Sequence, residues 1–517
     1  MFNEFRNMMV SKEAEDNVLI ELRSGKREIL ERHDWPYICF NTRFRANALC
    51  WIKAEPGQSF LQIGSDYGCL AEFFLKKGCL YDCVELSKQS LFINKQRNSS
   101  VRMIDFDSID KKYDFIVLYE ALYYAKDAEK LMKLVEGYLK ERGHIYILEH
   151  NRNSYLYLSG KRNEHSGRSF DDNTFLYTKK ELDELIKGKE YRFYYPHPNF
   201  EFCMELFTDR TVNSLKTCSL DNSLECREVE AFSIPSFCSD MRESSLMQYF
   251  MDGFVIEISD SLKNIDYIKV WSNRSREMSI ITELDYDRGK VYKYPYDMEA
   301  ERHLRKMDKR VCSYGKMKEI DYLWTEGHLE CDILNLPCLS DLYHEADDDG
   351  KKLLLDDYRS CILSASGKSS AYTVDFENVF GPEKAVEDLN WLENGNVDLS
   401  FDNIFVKGDS WLIIDAEWNL GIPVPAEYIM YRAFSFLGLD KSVVGVSDET
   451  LKVFEKWERH LCYRYQGTEE LCLHKRFKLT QESVDDLLVY ESFYGYSKKL
   501  VWFFDRIMKK ITGILGR

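Results

Sequence analysis

The sequence predicts an α/β protein of two domains, a doubly wound parallel sheet followed by an α+β domain. Three observations carry this expectation. Residues 60–63, apolar except for Gln62, read as a buried strand leading into Gly64 and Gly68, and Glu85 closes a second short strand candidate about twenty residues later, the layout of a strand, turn, helix and strand around a nucleotide. Apolar runs then alternate with helical apolar patterns as far as residue 207, the order a doubly wound sheet requires. At 517 residues the chain is too long for one ordinary core, so two or three domains are expected.

Taken in order, residues 12–33 read as a charged helix ended by Trp35 and Pro36, and 43–53 as a second helix leading into the glycine strand. A helix over 71–77, a strand at 83–84 and a helix over 88–97 follow. Residues 101–107 supply the third strand and its exit loop, where Asp105 and Phe106 are placed to meet an adenine. Residues 115–118 are continuously apolar, as a central parallel strand should be. Asp127 caps the next helix, whose apolar positions Leu131, Leu134, Val135, Tyr138 and Leu139 recur at helical spacing until Gly143 stops it before a strand at 145–148. Thr178 and Glu181 form a capping box, and 191–195 with 200–207 supply antiparallel strands to finish the sheet.

Composition narrows the class. With 44% hydrophobic and 14% aromatic residues the chain is globular, and its net charge of -17 argues against nucleic acid as a partner, because phosphate contacts are made largely by lysine and arginine. The 15 cysteines include no C-x-x-C pair and no His/Cys cluster at zinc spacing, which fits reduced, mostly buried thiols in a cytoplasmic protein. Residues 1–17 are polar and mixed in charge, unlike a secretory leader, and no apolar run approaches the ~20 residues of a spanning helix.

Charge in the glycine turn selects the ligand. A dinucleotide would lay pyrophosphate over the turn, where Asp66 occupies the middle glycine position and would repel it; S-adenosylmethionine brings an ammonium and a sulfonium instead. The stretch 61–68 resembles motif I of the class I S-adenosylmethionine methyltransferases, departing from it at Gln62, which replaces an acid, and at Asp66. Together with Arg32-His33, 84–87, 113–125, 148–152, 164–167 and 194–198, it makes residues 32–209 similar to the methyltransferase domain of bacterial surface-polysaccharide loci. The resemblance implies a Rossmann-like sheet over 46–210, S-adenosylmethionine held by Gly64, Ser65, Asp66, Gly68, Glu85, Asp105 and Phe106, and a glycan or lipid-linked saccharide as acceptor. Methyl transfer to a hydroxyl needs in-line approach and a base. His165, in a polar loop after the fifth strand, is the first candidate for that base, though it serves equally as a loop histidine in a structural hydrogen bond; His150, at the strand's end, is the second.

Residues 211–230, rich in Ser, Asn, Thr and charge, read as a linker. Beyond it, 254–258, 267–271, 278–284 and 290–294 suggest an antiparallel meander, and 299–307 a helix. Asp398, Asn403 five residues on, and Asp415 at the end of the next strand have the spacing of a kinase catalytic loop and its metal-binding carboxylate. The 231–470 region therefore resembles an α+β protein-kinase-like domain. By that resemblance Lys293 is the third-strand lysine that meets ATP, Glu299 or Glu301 its helix partner, and 329–339 the hinge. Asp398 is then catalytic, and Asn403 and Asp415 hold Mg²⁺. Methyltransferase followed by kinase is similar in order to the bifunctional enzyme that caps polymannose O-antigen. Asn396, where a loop histidine is usual, and the lack of a glycine in 273–277 depart from the pattern and leave a non-catalytic scaffold as the alternative.

Residues 1–45 form an N-terminal helical segment and 471–517 a helical tail. In the tail, Leu500, Phe504, Ile507, Met508, Ile511, Ile514 and Leu515 recur at helical spacing beside Lys498, Lys499, Arg506, Lys509, Lys510 and Arg517. A cationic amphipathic helix on an acidic protein fits attachment to an anionic membrane, here the inner face of the plasma membrane; packing on the second domain or on another copy is the alternative.

Overall fold

The computed structural model describes residue 2 and residues 43–64, 66–161, 163, 170, 175–215, 231–272, 274–308, 312–368 and 372–465. Two compact units meet in sequence after Ser272. In the first, β1 (Ser59–Ile63), β2 (Leu80–Val84), β3 (Arg102–Met103), β4 (Tyr113–Tyr119) and β5 (Leu139–His150) are parallel, in the order β3-β2-β1-β4-β5. Every residue of β1 is buried, as a strand covered on both faces must be. Crossover helices α1 (Cys69–Lys76) and α2 (Lys88–Arg97) join β1 to β2 and β2 to β3, and α3 (Ala128–Gly137) precedes β5. Asp127 caps α3, accepting from Lys130 N at 2.9 Å, and the capping box of Thr178 and Glu181 starts α4 (Lys179–Leu185). The strand order reverses between β1 and β4, which opens a crevice at the carboxyl ends of these strands.

Three expectations for this unit change. Gly143 does not stop a helix: α3 ends at Gly137 and Gly143 lies inside β5, where a Cβ would come 2.8 Å from the Leu139 side chain. Of 200–207, only β7 (Glu205–Phe207) is a strand, beside β6 (Tyr191–His197). Residues 254–258 and 267–271, read as part of the second domain, belong to the first sheet. There β8 (Gly253–Ile258) lies antiparallel between β5 and β6, and β9 (Tyr267–Trp271) pairs with β7. All six residues of β8 are buried, the profile of a central strand and not of a half-exposed meander. The first unit thus continues through the expected 211–230 linker, with α5 (Ile234–Glu243) in the added segment.

In the second unit, β10 (Ile280–Asp285) and β11 (Lys290–Pro295) form where the meander was expected, followed by α6 (Met298–Met307). Strands β12 (Ser313–Tyr314), β13 (Met317–Glu319), β14 (Leu323–Thr325) and β15 (His328–Asp332) follow. The order β14-β15-β11-β10 is antiparallel throughout. A second sheet, β12-β13-β18-β17, contains β17 (Ile404–Lys407) and β18 (Ser410–Ile413) once the short pair β16 (Trp391–Leu392) and β19 (Val424–Pro425) is set aside. Helices α7 (Asp348–Ser364), α8 (Ala426–Phe436) and α9 (Asp448–Tyr465) pack on it through a core that includes Tyr358, Phe376, Tyr428 and Trp457. The described cysteines are free and mostly buried.

Candidate functional site

The crevice of the first unit is shaped by close backbone approach. Gly64 adopts φ +79°, and a Cβ there would stand 2.3 Å from the Tyr119 carbonyl oxygen, so only glycine fits. Gly68, at φ +84°, is equally confined: its carbonyl accepts from Asn98 Nδ2 at 2.8 Å, and a Cβ would meet Asn94 Oδ1 at 2.3 Å. Gln62 holds the turn from below, donating to the Gly64 carbonyl at 2.8 Å and accepting from Tyr81 Oη at 2.9 Å. A neutral amide does here what a carboxylate cannot, because it donates as well as accepts. Glu85, just past β2, accepts from Asn94 Nδ2 at 3.2 Å. Asp105 precedes the 3₁₀ turn Phe106–Ser108, and Phe106 is buried. Ser65, the Asp66 side chain and His165 lie outside the described residues.

Beside this crevice, at the ends of β4 and β5, is a buried ionisable cluster. His150 Nε2 lies 3.2 Å from Glu120 Oε1 and 3.2 Å from Glu201 Oε1, and Nδ1 is 3.9 Å from Asp252 Oδ2. Ser154 Oγ donates to Asp252 Oδ1 at 2.7 Å, and Lys161 Nζ is 3.4 Å from Oδ2. Glu120 has φ 51°, a left-handed conformation uncommon for a residue with a side chain and concentrated at functional positions. Glu149, one residue before His150, accepts from Leu122 N at 2.7 Å, and burial, with Glu120 close by, pushes its carboxyl well above the usual range. Sequence reasoning found His150 but missed Glu120, Glu201 and Asp252. They are lone acids far apart in the chain: the pairing of β4 with β5 brings up Glu120, and the entry of β8 between β5 and β6 brings up Asp252 and Glu201.

The second unit has its own cluster. Lys293, on β11, forms an ion pair with Asp415 and lies 3.9 Å from Glu417 Oε1; burial alone would lower its pKa, but these two carboxylates outweigh it and hold the ammonium charged. Neither Glu299, which is exposed, nor Glu301, which pairs with Arg305 at 2.7 Å, is recorded beside Lys293 among the described residues. Glu417 takes that place, bridged to Arg274 at 2.9 Å. Asn403 Nδ2 donates to Asp398 Oδ2 at 3.0 Å, and Arg432 Nε to the Val397 carbonyl at 2.7 Å. Burial pushes the Asp398 carboxyl up against the pull of Arg432. Asp415, like Glu120, has a positive φ, 56°.

Fold and crevice define the first unit as a doubly wound cofactor-binding domain. Residues 33–203 match the family of methyltransferase domains. Three solved structures illustrate the likeness. The plantazolicin methyltransferase BpumL, in complex with SAH, is 18% identical over 48% of this chain and 97% of that one, with a TM-score of 0.29. A SAM-dependent methyltransferase from Thermotoga maritima, described as a possible histamine N-methyltransferase, is 16% identical over 47% and 99%, with a TM-score of 0.28. One from Geobacter sulfurreducens, in complex with S-adenosyl-L-homocysteine, is 19% identical over 26% and 55%, with a TM-score of 0.20. No curated protein matches the sequence. The family match falls on the observed sheet, so residues 33–203 are similar to methyltransferase domains in sequence and carry a doubly wound fold.

Proposed function

We propose that the chain methylates a hydroxyl of a sugar or glycan acceptor in bacterial envelope polysaccharide assembly. The observation that carries the methyl-transfer reading is the cradle at Gly64, where the backbone of β4 approaches so closely that a methyl group would fill the space. Gly64 and Gly68 leave room for the cofactor, Glu85 is placed to accept from its ribose hydroxyls, and Phe106 offers an apolar wall to its adenine. The cofactor, when bound, supplies an electrophilic methyl group. The chain's own part is to orient the acceptor and receive its proton, a role that His150, buried at the end of β5 among carboxylates, would take. The glycan acceptor rests on the sequence resemblance. Calorimetric titration with S-adenosylmethionine tests the reading: saturable binding is expected, and its absence leaves the scaffold alternative.

A second reading, favoured by the ion pair of Lys293 with Asp415 beside Asp398 and Asn403, is that the second unit binds ATP and Mg²⁺ and acts on phosphate. Lys293 would meet the nucleotide phosphates, Asn403 and Asp415 the metal, and Asp398 the acceptor hydroxyl.

A further inference from the structure

We propose that His150, Glu201 and Asp252 form a binding site for one divalent transition-metal ion of the Mn²⁺ or Zn²⁺ class. Three chain segments bring the ligands together: the end of β5, the turn between β6 and β7, and the residue before β8. One ligand atom from each lies within 4.8 Å of the others. Bonds of about 2.0–2.2 Å to a common ion put ligand atoms roughly 3 to 4.4 Å apart, so the three stand close to the required spacing and would draw together a little to reach it. One nitrogen and two carboxylates suit this class of ion better than Ca²⁺, which takes oxygen alone, or Cu⁺, which prefers sulfur.

The surroundings also point to a cation. Glu201 Oε2 is buried and has no hydrogen-bond partner among the described residues, while its other oxygen lies on the imidazole. Side chains of His150 and Asp252 have 0% exposure. Ser154 and Lys161 hold Asp252 from behind and fix its orientation, as outer-shell groups do for metal-binding carboxylates. The Lys161 contact of 3.4 Å is long for a charge-assisted bond, and a carboxylate has lone pairs for both partners. Phe200 packs its ring 4.6 Å from that of His150, centroid to centroid, and dries the pocket on one side. An ion here would act as a Lewis acid on a bound acceptor hydroxyl. That role rests on the methyl-transfer reading; the site itself does not.

Full-length protein stripped by a chelator and titrated calorimetrically with MnCl₂ or ZnCl₂ alone should bind one equivalent through this cluster. Glu201→Gln should weaken that binding at least tenfold, and Asp415→Asn should leave it unchanged, which separates it from the carboxylates of the second unit. Spin-echo spectroscopy of bound Mn²⁺ in the wild type should show coupling to a histidine nitrogen, which the proposed ligands Asn403 and Asp415 cannot supply. No saturable equivalent up to millimolar ion, bound Mn²⁺ without nitrogen coupling, or unchanged affinity in Glu201→Gln would each overturn the proposal. An imidazolium held by its carboxylates would give the first of these results. S-adenosylmethionine titration of the same preparation decides the methyl-transfer reading separately.

Discussion

Glu85 concentrates the cofactor argument in one side chain. It follows the second strand, is steadied by Asn94 at 3.2 Å, and comes after the glycine turn at the sequence spacing at which an acid reaches ribose hydroxyls. Hydrogen bonds to a charged group contribute roughly 1.5 to 3 kcal/mol each. Glu85→Ala should therefore weaken S-adenosylmethionine binding by about tenfold to a hundredfold, read as a dissociation constant in calorimetry. An unchanged constant removes Glu85 from the site. At this scale the sequence was legible where chemistry is local. Gly64, Gly68 and Glu85 announce a turn and an acid by spacing alone, whereas the hydrogen bonds of Gln62 and Asn98 to that turn, and of Asn94 to Glu85, needed the pairing of β1 with β2 and the packing of α2 to be seen.

Among the elements, α6 carries a pH-sensitive group. Burial lowers the pKa of His303 to about 4, against the opposing pull of Glu417. The ring is neutral in the folded chain, while an unfolded histidine titrates near 6.5. Between about pH 6.5 and pH 4 the unfolded state therefore binds more protons, so His303 withdraws stability from the second unit as pH falls through that window. Thermal melts of wild type and His303→Gln at pH 7.5 and 5 test this. The wild type should lose more of its melting temperature on acidification, and equal losses would remove His303 as the cause. The helix itself was visible from periodicity, as were α3, its Asp127 cap and the Thr178 box. What sequence could not give was strand partnership. A mostly apolar run such as 254–258 reads identically at the edge of a meander or between two strands inside a mixed sheet, because burial on both faces is set by neighbours that arrive from elsewhere in the chain.

For the whole molecule, the two compact units predict separable chemistry. Asp415→Asn should abolish the rise in melting temperature produced by millimolar Mg²⁺ and ATP while leaving methyl transfer intact. If the wild type shows no such rise, the second unit is a scaffold. Among the described residues no helix is long and apolar enough to cross a membrane, and the cationic tail 498–517 lies outside them. Basic residues near an anionic leaflet contribute about 1 kcal/mol each, so we propose that the tail holds the chain at such a surface. Full-length protein should co-sediment with anionic vesicles more than a chain ended at Ser497, and equal partitioning of the two would sink the idea.

The place of β8 has a practical side. The methyltransferase-family match stops at residue 203, yet the strand that covers β5 spans Gly253–Ile258. A fragment cut at the family boundary would leave β5 with a bare row of amides and carbonyls, an open edge of the kind that pairs between molecules. Any excised catalytic half has to be drawn beyond Ile258, and beyond Trp271 if β9 is to keep its place on β7.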